Sequence, residues 1–128
     1  MKVLVIGSGG REHALCWSLS HSERVSEIYC APGNPGISNE AKCVDIDVMD
    51  FDGILAFCIS QRIKFVVVGP EAPLVEGLID RLETEGIATF GPSASAAKLE
   101  GSKGFMKDIC KQCGVPTARY KRFSSFET

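Results

Sequence analysis

The run Val3-Leu4-Val5-Ile6 passes directly into Gly7-Ser8-Gly9-Gly10 and then into Arg11-Glu12-His13. A continuous apolar, β-branched run without polar alternation is the pattern of a strand buried on both faces. Such a strand needs helices above and below it, which points to a layered α/β sheet. The glycines that follow allow a tight turn and a close backbone approach to a ligand.

The same alternation recurs along the chain. "VSEIYC" (25–30), "AKCVDID" (41–47), "KFVVVG" (64–69) and "IATFG" (87–91) read as further strands. Between them lie helical patterns. Residues 11–21 turn Ala14, Leu15, Cys16 and Leu19 towards the sheet. Residues 52–61, capped by Asp50, carry Ile54, Leu55, Cys58 and Ile59 on one face. "GPEAPLVEG" leads into a helix ending near Glu85, stopped by Gly86. Five β-like runs separated by helices predict a Rossmann-like, doubly wound, mostly parallel five-stranded sheet. Ligands of such sheets sit beyond the carboxyl ends of the strands. Those ends are 7–13, 31–36, 69–74 and 91–93. All are rich in Gly or Pro, and the first and third also carry ionisable groups.

With 128 residues, 45% hydrophobic and 23% charged, the chain can bury a core of one domain's size. A net charge of −2 gives no basic surface for nucleic acid or anionic lipid. No apolar run reaches the roughly 18 residues of a membrane span, and the first stops after four, so neither a membrane nor a secretory segment is expected. Several of the six cysteines sit in apolar runs, which fits small buried hydrophobes in the reducing cytoplasm. Cys110 and Cys113 have C-x-x-C spacing, but they close a helix before Gly114 instead of opening one, and read as two reduced thiols.

After Gly91 the texture changes. Two helical segments, Ser93–Leu99 and Ser102–Cys113, precede "GVPTARYKRF", which reads as a loop leading into a strand. Phe105, Met106, Ile109, Tyr120 and Phe123 then lack apolar partners. This tail reads as the start of another domain, and an uncovered apolar tail favours self-association of the chain.

The opening loop resembles the dinucleotide fingerprint G-x-G-x-x-G/A, with Gly7 and Gly9 in the first two places. The third place is Glu12, and the second strand ends Tyr29-Cys30-Ala31-Pro32 with no acid for a ribose. Two requirements for NAD therefore fail. The loop still suits one phosphate: Gly9 and Gly10 allow close approach, the helix start offers free N–H groups, and Arg11 can add a bidentate contact. Arg11 otherwise reads as a solvated first-turn residue, Glu12 as a helix-start acid, and His13 as packing against a neighbouring loop. Glu71, after Gly69-Pro70, is either held over the crevice or simply begins a helix. Asn34 in "APGNPG" has a ready role in its own turn.

"KVLVIGSGGREHAL", "APGNPG", "VVVGPEAPLVEGLID" and "FGPSASAAKLEGSKGFMKDICKQCGVPTARY" together resemble the start of the glycinamide ribonucleotide synthetases (phosphoribosylamine–glycine ligases) of the ATP-grasp superfamily. The resemblance runs in order through essentially the whole chain. It departs at Pro35, where the family is expected to read A-P-G-N-A-G. It implies a ligase that joins glycine to 5-phosphoribosylamine with ATP and Mg2+ or Mn2+. It implies a pre-ATP-grasp domain over 1–101 and the beginning of an ATP-grasp domain over 102–128. By position, Gly9, Gly10, Arg11, Glu12, His13, Asn34, Gly69, Pro70, Glu71, Pro73 and Leu74 would line the substrate cleft. Lys103 is similar to the lysine such enzymes place near the nucleotide phosphates; otherwise it is an ordinary surface lysine. The ATP lid and metal-binding acids are expected beyond residue 128, so the chain alone is expected not to catalyse, and the full-length enzyme to be a monomer. Two other readings stay open: an NAD(P)-binding module, and a non-catalytic domain that binds a phosphate metabolite.

Overall fold

A computed structural model of the chain describes residues 1–123. Five strands, β1 (Lys2–Gly7), β2 (Glu27–Pro32), β3 (Lys42–Cys43), β4 (Phe65–Val68) and β5 (Ala88–Phe90), form one sheet in the order β3-β2-β1-β4-β5. All four pairings are parallel. The helices are α1 (Gly10–Ser20), α2 (Phe51–Gln61), α3 (Glu71–Val75), α4 (Leu78–Thr84), α5 (Ala94–Gly101) and α6 (Lys103–Gln112), with a 3-10 turn over Ile37–Asn39.

The continuous Val/Ile runs form the central strands because each must fill two apolar layers. Alternate residues of β1 point to opposite faces. Leu4 and Ile6 join Val66, Val68, Ile54, Leu78 and Leu82 on one face. Val3 and Val5 join Cys16, Ile28, Cys30, Ile37 and Val67 on the other. Helices α2, α4 and α5 cover the first face; α1 and the 3-10 turn cover the second. This is the expected doubly wound α/β fold, parallel throughout. Among the described residues no helix is long and apolar enough to cross a membrane.

Several elements differ from the sequence reading. The third strand shrinks from 41–47 to Lys42–Cys43. Beyond it Val44, Ile46 and Val48 pack on the core; Val44 N–H still donates to Cys30 O of β2 at 2.9 Å, but the next backbone bond turns local, from Ile46 N–H to Val44 O at 2.8 Å. The helix expected up to Glu85 breaks into α3 and α4 at Gly77, whose φ of 89° lies outside the helical region. Ala14 and Ile59, expected to face the sheet, are exposed. The buried line of α2 runs through Ile54 and Cys58, and Ile59 lies one residue, about 100° of helix, beyond it. No strand forms over 114–123. That segment returns along α6, where Arg122 pairs with Asp108 at 2.7 Å and Lys107 donates to Ala118 O at 2.9 Å.

Candidate functional site

The strand order reverses at β1 and β4. From β1 the chain moves outward through α1 to β2; from β4 it moves the other way through α3 and α4 to β5. The crevice between the carboxyl ends of β1 and β4 is therefore the topological switch point, where ligands of open α/β sheets bind. Gly7 closes β1 there and Gly69 follows β4, its N–H bonded to Ile6 O at 3.1 Å. Gly33, after β2, donates to Gly7 O at 3.0 Å. Three strand ends are thus tied together at one rim.

The loop after β2 is held by Asn34. Its Nδ2 donates to Ser8 O at 2.7 Å, and its Oδ1 accepts from the N–H groups of Gly36 (2.7 Å) and Ile37 (2.9 Å). One amide side chain therefore shapes its own turn and fastens it to the glycine loop. His13 packs on the same turn, where a Cβ at Gly36 would lie 3.2 Å from its Cε1. The exposed Cys43 thiol reaches Asn34 O at 3.5 Å, a contact absent from the sequence reading.

Gly9 is the N-cap of α1, so the N–H groups of Gly10 and Arg11 have no partner inside the helix. Gly10 and Arg11 are exposed, and the guanidinium is available to an anion above the loop. Glu12 does not join them. It is 4% exposed, and its Oε2 accepts the Gly9 N–H at 2.7 Å. Its side chain occupies the space that a third fingerprint glycine keeps open. The sequence reading placed Glu12 among cleft-lining residues; the structure turns it inward, because glycines at 7 and 69 leave it room.

Across the crevice, Pro70 is the N-cap of α3, and Glu71 is its exposed first residue. Pro73 and Leu74, also expected at the cleft, are buried instead, with Leu74 anchoring α3 in the core. The α5–α6 junction abuts Glu71: a Cβ at Gly101 would lie 3.4 Å from Glu71 Oε1. Lys103 opens α6 two residues later and is exposed, so the structure brings its segment to the rim although the side chain has no described contact with the glycine loop. Met49, Val75 and Gly101 join Glu71 around a concavity of about 410 Å³. Sequence reasoning missed Met49, whose only signal is its position after "DIDV".

Beneath the loop, Cys30 donates its thiol proton to Gly7 O at 3.3 Å. The adjoining Cys16 thiol and burial both push its pKa up, so it acts as a neutral donor. Burial pushes Cys58 up to about 11. All six cysteines are free, and Cys113 caps the end of α6. Among the described residues, no three His, Cys, Asp or Glu side chains gather to hold a metal ion.

The site combines a glycine loop, the unpaired N–H groups at the start of α1, the exposed Arg11 and loops tied at one rim, which suits a small phosphorylated ligand. A sequence model of the family described as "Phosphoribosylglycinamide synthetase, N domain" matches residues 1–100. A phosphoribosylamine–glycine ligase of Rhizobium meliloti (strain 1021) is 58% identical over 127 residues, 99% of this chain. The chain spans 30% of that relative's length. The crystal structure of the Thermotoga maritima phosphoribosylamine–glycine ligase superposes with a TM-score of 0.63 at 27% identity, over 93% of this chain and 26% of that one. An N5-carboxyaminoimidazole ribonucleotide synthetase from the same organism superposes at 0.68 over 98% of this chain and 34% of that one; at 19% identity it speaks for the fold alone. The chain belongs to the phosphoribosylglycinamide synthetase N-domain family.

Proposed function

We propose that this chain is the N-terminal, substrate-cleft part of a cytoplasmic phosphoribosylamine–glycine ligase of purine biosynthesis. The observation that carries the reading is the 58% identity to a ligase of that name across nearly the whole chain. In the reaction, the glycine carboxylate attacks the γ-phosphorus of ATP and ADP leaves. The amine of 5-phosphoribosylamine then attacks the resulting acyl phosphate, and inorganic phosphate departs as the amide forms. Mg2+ or Mn2+ would accompany the nucleotide. Among the described residues no cluster of His, Cys, Asp or Glu gathers to hold it.

This chain's share is the part of the cleft formed by the loops after β1, β2 and β4. The Arg11 guanidinium and the N–H groups of Gly10 and Arg11 hold the substrate phosphate at the start of α1. His13 and the Asn34 turn close that side. Glu71 faces the ribosylamine from the opposite wall, and Lys103 serves the ATP phosphates. Residues 102–128 begin the ATP-grasp domain.

The test is a full-length chimera in which residues 1–100 replace the equivalent part of the Rhizobium meliloti ligase. It is expected to release ADP and phosphate in the presence of phosphoribosylamine and glycine. Arg11→Ala is expected to raise the KM for phosphoribosylamine one to two decades, since a charged hydrogen bond is worth roughly 1.5–3 kcal/mol. The KM for ATP should stay within threefold. A folded chimera without turnover, or equal effects on both constants, would overturn the reading.

A further inference from the structure

The switch-point crevice already has an occupant. Glu12 stands at its floor, and three glycines surround it. A Cβ at Gly7 would lie 2.5 Å from Glu12 Cγ, one at Gly9 would lie 2.9 Å from Oε2, and one at Gly69 would collide with the carboxylate. Gly7 and Gly9 belong to the loop after β1, and Gly69 to the turn after β4. A single side chain thus fills the seam between the two walls. Its Oε2 bonds the Gly9 N–H, while Oε1, against Gly69, is buried with no hydrogen-bond partner among the described residues. Burying a carboxylate oxygen unpaired costs free energy. The remaining contacts must offset that cost, so this arrangement is an unusual means of merely starting a helix, which an exposed acid would do as well.

Resting on the ligase reading given above, we propose that Glu12 is a positioning residue for phosphoribosylamine. It seats the glycine loop against the Gly69 turn so that Arg11, on one wall, and Glu71, on the other, keep a fixed separation. It also binds the Gly9 N–H internally. The anion-binding N–H groups at the helix start are then those of Gly10 and Arg11, one step further along the chain. The phosphate is accordingly held at the mouth of the crevice, above Glu12, instead of at its floor, where a dinucleotide's pyrophosphate would approach.

Three substitutions in the chimeric ligase test this. Glu12→Gln keeps the shape and an oxygen acceptor for Gly9, and should leave the KM for phosphoribosylamine within threefold. Glu12→Asp is one methylene too short to reach both walls. It should raise that KM about tenfold, with kcat and the KM for ATP within threefold. Glu12→Ala should do the same, and Glu12→Asp serves should the alanine variant not fold. Amide exchange in the 128-residue chain gives a readout independent of turnover. The Gly9 amide should exchange at least tenfold faster in Glu12→Asp than in the parent, and near the parental rate in Glu12→Gln. If Glu12→Asp leaves both KM and Gly9 exchange unchanged, or if kcat and both KM values worsen together, Glu12 is structural only and the proposal fails. A parent chimera that does not turn over sinks the ligase reading instead, leaving the exchange result to judge Glu12's hold on the loop.

Discussion

The sheet and the α6 segment handle apolar residues in opposite ways. Val3, Leu4, Val5 and Ile6 of β1 are at most 1% exposed. α6 carries Phe105, Met106 and Ile109 on one stripe, yet none of its residues is fully buried. Segment 114–123 is fastened to it through polar contacts: Arg122 and Tyr120 to Asp108, and Lys107 to Ala118 O. Elsewhere, helices are clamped onto a sheet that supplies apolar area on both faces. The lesson is that α6 is specified by its cap and its own pattern, while the other helices are specified by what they cover.

That contrast can be broken by measurement. The largest effect is expected for Leu82→Ala, which empties a fully buried site and should cost about 2–5 kcal/mol in urea unfolding. Gly69→Ala should cost about 1–3 kcal/mol, because the added methyl meets the Glu12 carboxylate; pairing it with Glu12→Ala should recover part of the loss. Asp50→Ala removes the side-chain acceptor of Gly53 N–H at the start of α2, for about 1 kcal/mol. Ile109→Ala in α6 should change global stability by less than about 0.5 kcal/mol; a loss near that of Leu82→Ala would show that α6 is part of the core.

The smallest effect concerns pH. Hydrogen bonds from Lys42 and then Lys2 lower the Glu27 pKa from 4.5 to about 2. A depressed acid stabilises the fold above its ordinary pKa and loses that contribution as pH falls through its folded value. Glu27→Gln should therefore be slightly less stable than the parent near neutrality, and the difference in melting temperature should vanish between about pH 4.5 and 2. A gap that persists at the acid end would rule out the ion pairs as its cause.

The sheet was legible because buried parallel strands leave unbroken runs: "VLVI" and "FVVV" admit few other structures. The strand-end rule then located the rim. What stayed hidden depends on contacts between distant segments. Asp45 and Asp47 alternate with Val44, Ile46 and Val48 as in a strand, but only Lys42 and Cys43 pair with β2. Gly77 inside an apolar helical pattern did not announce its positive φ. For the site, Arg11 and Glu71 are exposed at the loops that follow β1 and β4, where the strand-end pattern puts them. Pro73 and Leu74 turn inward because the first turn of α3 packs on the core. The inward turn of Glu12 could not be read from its own neighbourhood alone, since part of the room it occupies is left by the distant Gly69.

That pairing has a consequence for how such sequences can drift. A lineage cannot enlarge position 69 while position 12 keeps its length, and shortening position 12 first leaves a gap beneath the glycine loop. The two positions can change only through a weakened intermediate or together. The path to an open, dinucleotide-like crevice therefore runs through a valley, although the strands on either side would look the same at both ends.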